Sequence, residues 1–222
     1  MAGRISYLGG IVRNGLILDL DAAKVDSYPK TGTSWNDISG NGKNGTLVNG
    51  PVFNSGNNGS ILFDGSNDYV NVNSLALGTS SGTVCFWIKS GISKDIYNTH
   101  SGAWNQNTLW GDGTSLILRI SNGTSSPGDV TISSSLVFDN KFHFVCTQWT
   151  TGGERSIWLD GTKRASLTNT LQYTPSTTFE IGYKSWGASY YSGNMYSITS
   201  YDRALSAQEV LQNYNAVKTR YI

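Results

Sequence analysis

The side chains able to do chemistry are few, and their spacing sorts them into small groups. Asp19 and Asp21 stand two apart in GLILDLD, so a strand there puts both carboxylates on one face, as an acid and base pair requires. Polar residues on the outer face of a strand end are the commoner reason for such a pattern. Hard cations need oxygen ligands on a sharply turning backbone, and Asp37, Ser39, Asn41 and Gly42 match the first half of a calcium-loop pattern. The twelfth position is Val48 rather than Glu, and no helix pattern flanks the loop, which excludes an EF-hand. An Asx/Gly turn without metal is the first reading. Calcium, with Asp37, Asn41, Asp64 and Asp68 as oxygen donors, is the alternative cofactor.

A third group is aromatic. Trp104 and Trp110 lie among Asn, Gly and Ser, and Trp186 and Tyr190 lie in a second polar stretch. Rings in polar loops stack on the apolar faces of sugars while neighbouring Asn and Asp bond hydroxyls; rings folded back onto the protein edge give the same pattern. His143 and His100 are isolated in their motifs, which is weak ground for catalysis. Cys85 and Cys146 both sit in apolar, strand-like runs. They are too few for a disulfide framework, and the expectation is two buried free thiols.

The elements that must position these groups are mostly strands. The 222 residues include 26 Gly and only 4 Pro, the composition of short strands joined by tight turns. Charged residues make up 14%, against roughly 25% in an ordinary soluble domain. With a net charge of +1, nucleic acid is excluded as the main partner. Gly9 to Leu20 is too short and interrupted for a signal core or a membrane span. The expectation is a soluble chain made in a cytoplasm, without membrane insertion. Residues 1–14 read as an arm that frays by default or docks on a neighbour, and 15–222 as one domain.

Leu16, Leu18 and Leu20 alternate with Ile17, Asp19 and Asp21. Ser81 to Ser90 is apolar on both faces, which places it in the middle of a sandwich. Between Gly91 and Gly113 the chain reads as loop. Strands resume at 115–121, 130–133 and 141–150, and a hairpin follows around Asp160-Gly161. Ser206 and Glu209 form a capping box for a terminal helix whose stripe is Val210, Tyr214 and Val217.

Several of these stretches carry a family likeness. SILFDGSNDYVNV at 60–72, SGTVCFWIKS at 81–90, KFHFVCTQWT at 141–150 and GNMYSITSYDRAL at 193–205 resemble the signature strands of laminin-G-like domains in the concanavalin A-like lectin/glucanase superfamily. The resemblance implies an all-β, two-sheet antiparallel jelly-roll sandwich with a short C-terminal helix. Phe142 stands where that family usually has Trp, and Tyr196 and Ser197 replace its usual acidic pair. The glucanase strand E-x-D-x-x-E is missing, since the glutamates are Glu154, Glu180 and Glu209. The expectation is therefore a non-enzyme, with hydrolysis by Asp19 and Asp21 the least favoured reading.

From its start through the 35–45 loop to its terminal helix, the chain looks like stand-alone laminin-G-like proteins of tailed bacteriophages, especially marine ones. That likeness implies a virion structural protein, a capsid decoration or a fibre component, whose partners are other virion proteins and host-surface glycans. A stand-alone carbohydrate-binding module assisted by calcium is the alternative. A homo-oligomer is compatible with either.

Overall fold

The computed structural model describes residues 9–78, 80–100, 105–122, 128–169, 177–184 and 189–222. Trp104, Trp186 and the first eight residues of the arm lie outside them. The first third of the chain forms β1 (Leu16–Asp21), β2 (Ser34–Trp35), β3 (Gly45–Val48), β4 (Val52–Asn54), β5 (Ser60–Asp64) and β6 (Tyr69–Asn73). The middle forms β7 (Gly82–Lys89), β8 (Tyr97–His100), β9 (Asn105–Gly111), β10 (Ser115–Asn122) and β11 (Val130–Ser133). Then come β12 (Phe142–Trp149), β13 (Glu154–Leu159), β14 (Thr162–Thr168), β15 (Thr178–Ile181), β16 (Tyr183–Lys184), β17 (Ser189–Tyr190), β18 (Ser192–Tyr201) and helix α1 (Ala207–Lys218).

Two antiparallel sheets face each other. Among the described residues the first has the order β14-β13-β12-β7-β18-β5-β4, with β1 also on β18, and the second β11-β10-β9-β8-β15-β6-β3-β2. Period-two alternation sends Val84, Phe86 and Ile88 of β7 and Val70 and Val72 of β6 into the shared core. β5 and β6 belong to different sheets, so the turn between them carries the chain across the sandwich. Asp64 shapes that turn by accepting the Ser66 N–H at 2.7 Å, while Asp68 accepts the Asp64 N–H at 3.0 Å. Gly65 at φ 81° makes the reversal accessible without a side-chain clash.

The stretch expected as loop after Gly91 holds β8 and β9. Its polar residues misled because Gln106 and Thr108 point to the sheet face opposite the core and are nevertheless buried there.

The outer face of the first sheet carries a second apolar cluster, built from Trp87, Phe144, Trp158 and Tyr196 beneath Val210 and Val217 of α1. The Ser206 hydroxyl accepts the Glu209 N–H, and the Glu209 carboxylate accepts the Ser206 N–H at 2.8 Å, completing the capping box. Arg203 grips the same carboxylate at 2.9 and 2.6 Å and, with the cap, holds its pKa at about 2. The arm is docked from residue 10 onward rather than frayed. Val12 N–H donates to Asn213 Oδ1 at 2.8 Å, and Tyr201 and Gln212 donate to the Val12 and Gly10 carbonyls. No helix among the described residues is long and apolar enough to cross a membrane.

The cysteines correct the expectation of free thiols: Cys85 and Cys146 form a disulfide. They stand directly opposite each other on β7 and β12, a register that no sequence spacing discloses. Closing a loop of separation 61 stabilises the fold by on the order of 4 kcal/mol in the chain-entropy model. Alkylation of the unfolded, unreduced protein should label no thiol by mass spectrometry, and labelling after reduction should add two groups; two labels without reductant would sink the bridge.

Candidate functional site

On the second sheet the pleat leaves one residue of each strand in a transverse row on the face away from the core. Arg119 pairs with Thr108, Thr108 with Asn98, Asn98 with Glu180, Glu180 with Asn71, Asn71 with Thr46 and Thr46 with Ser34. Every member is a hydroxyl, amide or charged group, because the apolar members of each strand are committed to the core. Asn98 Nδ2 donates to Glu180 Oε2 at 3.3 Å. Thr108 and Asn98 are buried, so the open part of the row is Glu180, Asn71, Thr46 and Ser34, whose donors and acceptors at strand spacing suit a ligand rich in hydroxyls.

A hairpin of β16 and β17 packs beside β8 at this face. Gly182, at φ 79°, turns the chain out of β15 into it, and a Cβ there would meet the Phe63 ring at 3.0 Å. Tyr191 anchors the return strand, edge-on to Phe63 with centroids 5.7 Å apart. Tyr183 stacks on Tyr190 at 4.9 Å and touches Tyr69 at 5.3 Å, so three half-buried phenols share one rim. Burial raises the Tyr183 phenol, and Tyr190 and Glu180 add to the effect.

The next hairpin residue works differently. Lys184 Nζ lies 3.2 Å from the fully buried Asp95 carboxylate and forms an ion pair with it. Burial raises the Asp95 carboxyl, opposed by a bond from Ser189 and by the charges of Lys184 and Lys94. Lys184 also sits 5.3 Å from the Trp110 ring centroid, and Arg119 sits 5.0 Å from the same centroid. Arg119 in turn grips Asp129 through two bonds of 2.8 and 2.6 Å.

The structure thus brings Tyr190 and Trp110 to one region, with different roles. Tyr190 is a half-exposed ring on the rim; Trp110 is buried against two cations and offers no open face of its own. Trp104 and Trp186 fall outside the described residues. No sequence pattern assigns Tyr69, Tyr183, Glu180, Lys184 or Asp95 to a site, although FEIGY before a second aromatic pair is a hairpin signal.

The proposed calcium donors are engaged in the hydrogen bonds of their own turns. Asp37 accepts the Asp19 and Ser39 N–H groups on one oxygen and the Ser39 hydroxyl and Lys43 N–H on the other, all at 2.8–2.9 Å. Burial works to raise this carboxyl, but these bonds outweigh it and hold it below the usual range. Asn41 spends its amide N–H groups on Leu16 and Ser39. Asp64 and Asp68 close their own turn. Among the described residues no three His, Cys, Asp or Glu side chains group closely enough for a metal ion.

Asp19 and Asp21 do share a face, the outer one of β1, but α1 and the arm cover it. Both carboxylates are buried, Asp21 bonded to Arg220 at 2.7 Å and near Lys24, Asp19 reached by Arg13 at 3.3 Å. Burial raises the Asp19 carboxyl despite Lys24 and Arg13. The remaining cavity is about 100 Å³, too small for a sugar. His143, far from isolated, bonds Asp160 through Nδ1 at 2.9 Å and Asp139 through Nε2 at 3.0 Å. An imidazole donating to two carboxylates carries both protons, which makes it a latch rather than a base.

A family model described as the concanavalin A-like lectin/glucanases superfamily, of laminin-G type, matches residues 64–211, more than half of the chain. The chain belongs to this superfamily. No curated protein matches it by sequence. Among solved structures, the botulinum neurotoxin serotype D binding domain superposes with a TM-score of 0.69 at 16% identity, covering 92% of this chain and 52% of that one. The binding domain of Paraclostridial Mosquitocidal Protein 1 gives 0.68 at 16%, over 92% and 52%. The serotype D ligand-binding domain in complex with N-acetylneuraminic acid gives 0.69 at 15%, over 92% and 51%. The chain spans about half the length of these structures, and at such identity the likeness is one of fold.

Two predictions test this geometry. Lys184→Met leaves Asp95 buried without its cation and should cost about 3 kcal/mol or more; adding Asp95→Asn should recover part of that in urea unfolding, and a double variant as unstable as the sum would deny the pair. For His143, burial works to lower the pKa, but the two carboxylates outweigh it and raise it above its unfolded value. Its contribution is complete below about pH 6.5 and fades as pH rises through the folded pKa. The stability gap between the parent and His143→Gln should therefore shrink as pH rises above about 6.5; a gap that widens would refute the latch.

Proposed function

We propose that the chain is a non-enzymatic glycan-binding sandwich whose sugar contact is the tyrosine rim and polar row of the second sheet. The observation that carries this reading is the Tyr69, Tyr183 and Tyr190 cluster, half-exposed beside a line of hydroxyl and amide groups. A phenol ring covers the apolar face of a pyranose, and the row supplies partners for its hydroxyls. The neurotoxin domains of the same fold, one of them in complex with N-acetylneuraminic acid, support a binding role at the level of architecture.

Catalysis has little to work with. Glu180 has Asn98 and Asn71 as its neighbours in the row, so no second carboxylate stands beside it there to act as its partner in glycoside hydrolysis. The Asp19 and Asp21 pair is sealed under α1. The setting we propose is a virion surface, as a capsid decoration or fibre component docking on other virion proteins. It rests on the sequence resemblance, and detection of the chain in purified particles tests it; the chain found free and never in particles would refute it.

On a glycan array the chain should retain at least one sugar class, equally in calcium and in chelator. Tyr190→Ala and Tyr183→Ala should each weaken retention by about tenfold, or about 1.4 kcal/mol, with the far-ultraviolet circular dichroism unchanged. Unaltered retention in both variants would remove the rim as the site, and loss in chelator would restore the metal.

A further inference from the structure

Resting on the glycan-binding reading, we infer that this face selects neutral sugars and discriminates against acidic ones. The ground is that Lys184 and Arg119, the two cations packed on the Trp110 ring, are already committed to carboxylates of the protein itself. Recognition of a sialic or uronic acid is strongest where a positive group can turn to the ligand and make charge-assisted bonds. Lys184 is held by Asp95 and by the Trp110 ring, and turning it outward would strand a carboxylate with no exposure to solvent. That penalty falls on the complex, not on the free protein. Arg119 is held through two bonds to Asp129 and packs on the same ring.

The remaining charges point the same way. Lys94, half-buried, lies near Asp95 and its charge opposes the upward shift that burial imposes on that carboxyl. Glu180 places a negative group in the middle of the row. Lys94, Lys184 and Arg119 against Asp95, Asp129 and Glu180 leave no surplus of positive charge. The segments that join the neighbouring strands, 101–104, 123–127 and 185–188, contain no Lys or Arg.

The experiment uses the full chain on an array holding neutral oligosaccharides and the same oligosaccharides capped with sialic acid or carrying a uronic acid. Calorimetry on the best-bound pair at low ionic strength then gives the two affinities. The neutral member should bind about tenfold tighter or more, and Glu180→Lys should narrow or reverse that ratio. Equal or tighter binding of the acidic member overturns the selectivity while leaving glycan binding intact. An unchanged ratio in Glu180→Lys overturns charge as its cause. No binding of any sugar overturns the glycan reading and the selectivity with it.

Discussion

Strand β18 is the member on which both halves of the sandwich depend. It pairs with β7 along one edge and, along the other, with β5 and then β1, so the last strand of the chain closes a sheet whose other members were made much earlier. A register shift between Met195 and Ser197 rephases the pleat. Met195 and Ile198 thereby reach the core between the sheets, while Tyr196 and Tyr201 face the helix. The same shift aligns Ser197 and Thr199 with Asp21 and Asp19, which fixes the floor of the small cavity under α1. Contacts of such sequence separation are entropically expensive to assemble, and the Cys85–Cys146 bridge across β7 and β12 offsets part of that cost next to the junction.

A chain with few charges has used most of the important ones internally. Arg155 is wholly buried and donates to the Ile120 and Gly128 carbonyls at 3.0 and 3.2 Å, and burial lowers its pKa. Arg220 holds Asp21, Arg203 holds Glu209, and His143 joins the β13–β14 turn to the segment before β12. Each pair ties a terminal or connecting segment to a sheet, where an uncompensated charge would be costly.

The fold was largely legible in the sequence because strand alternation and turn chemistry are local. Val70 and Val72 against Tyr69 and Asn71, the Asp160-Gly161 hairpin and the Ser206–Glu209 box all appear where their patterns place them. The site was less legible, since its properties arise from register and cover. Trp110 reads as a sugar platform until Lys184 and Arg119 are seen beside it. Asp19 and Asp21 read as solvent-facing until α1 and the arm close over them. Asp95 and Lys184 are 89 residues apart by number, and no periodicity links them; only the hairpin's return onto β8 does.

Membership of the superfamily and the site are separate conclusions with separate grounds. A 16% identical domain of the same architecture shows that many side-chain sets satisfy this sandwich, because the core asks only for apolar volume on alternate positions. The outward row is not constrained in that way. Asn71, Thr46 and Ser34 reach solvent and are not asked for by the core, yet they lie in register beside three clustered tyrosines that the core does not need. A polar row and an aromatic rim at one edge of one sheet are what a hydroxyl-rich ligand requires and what stability alone does not.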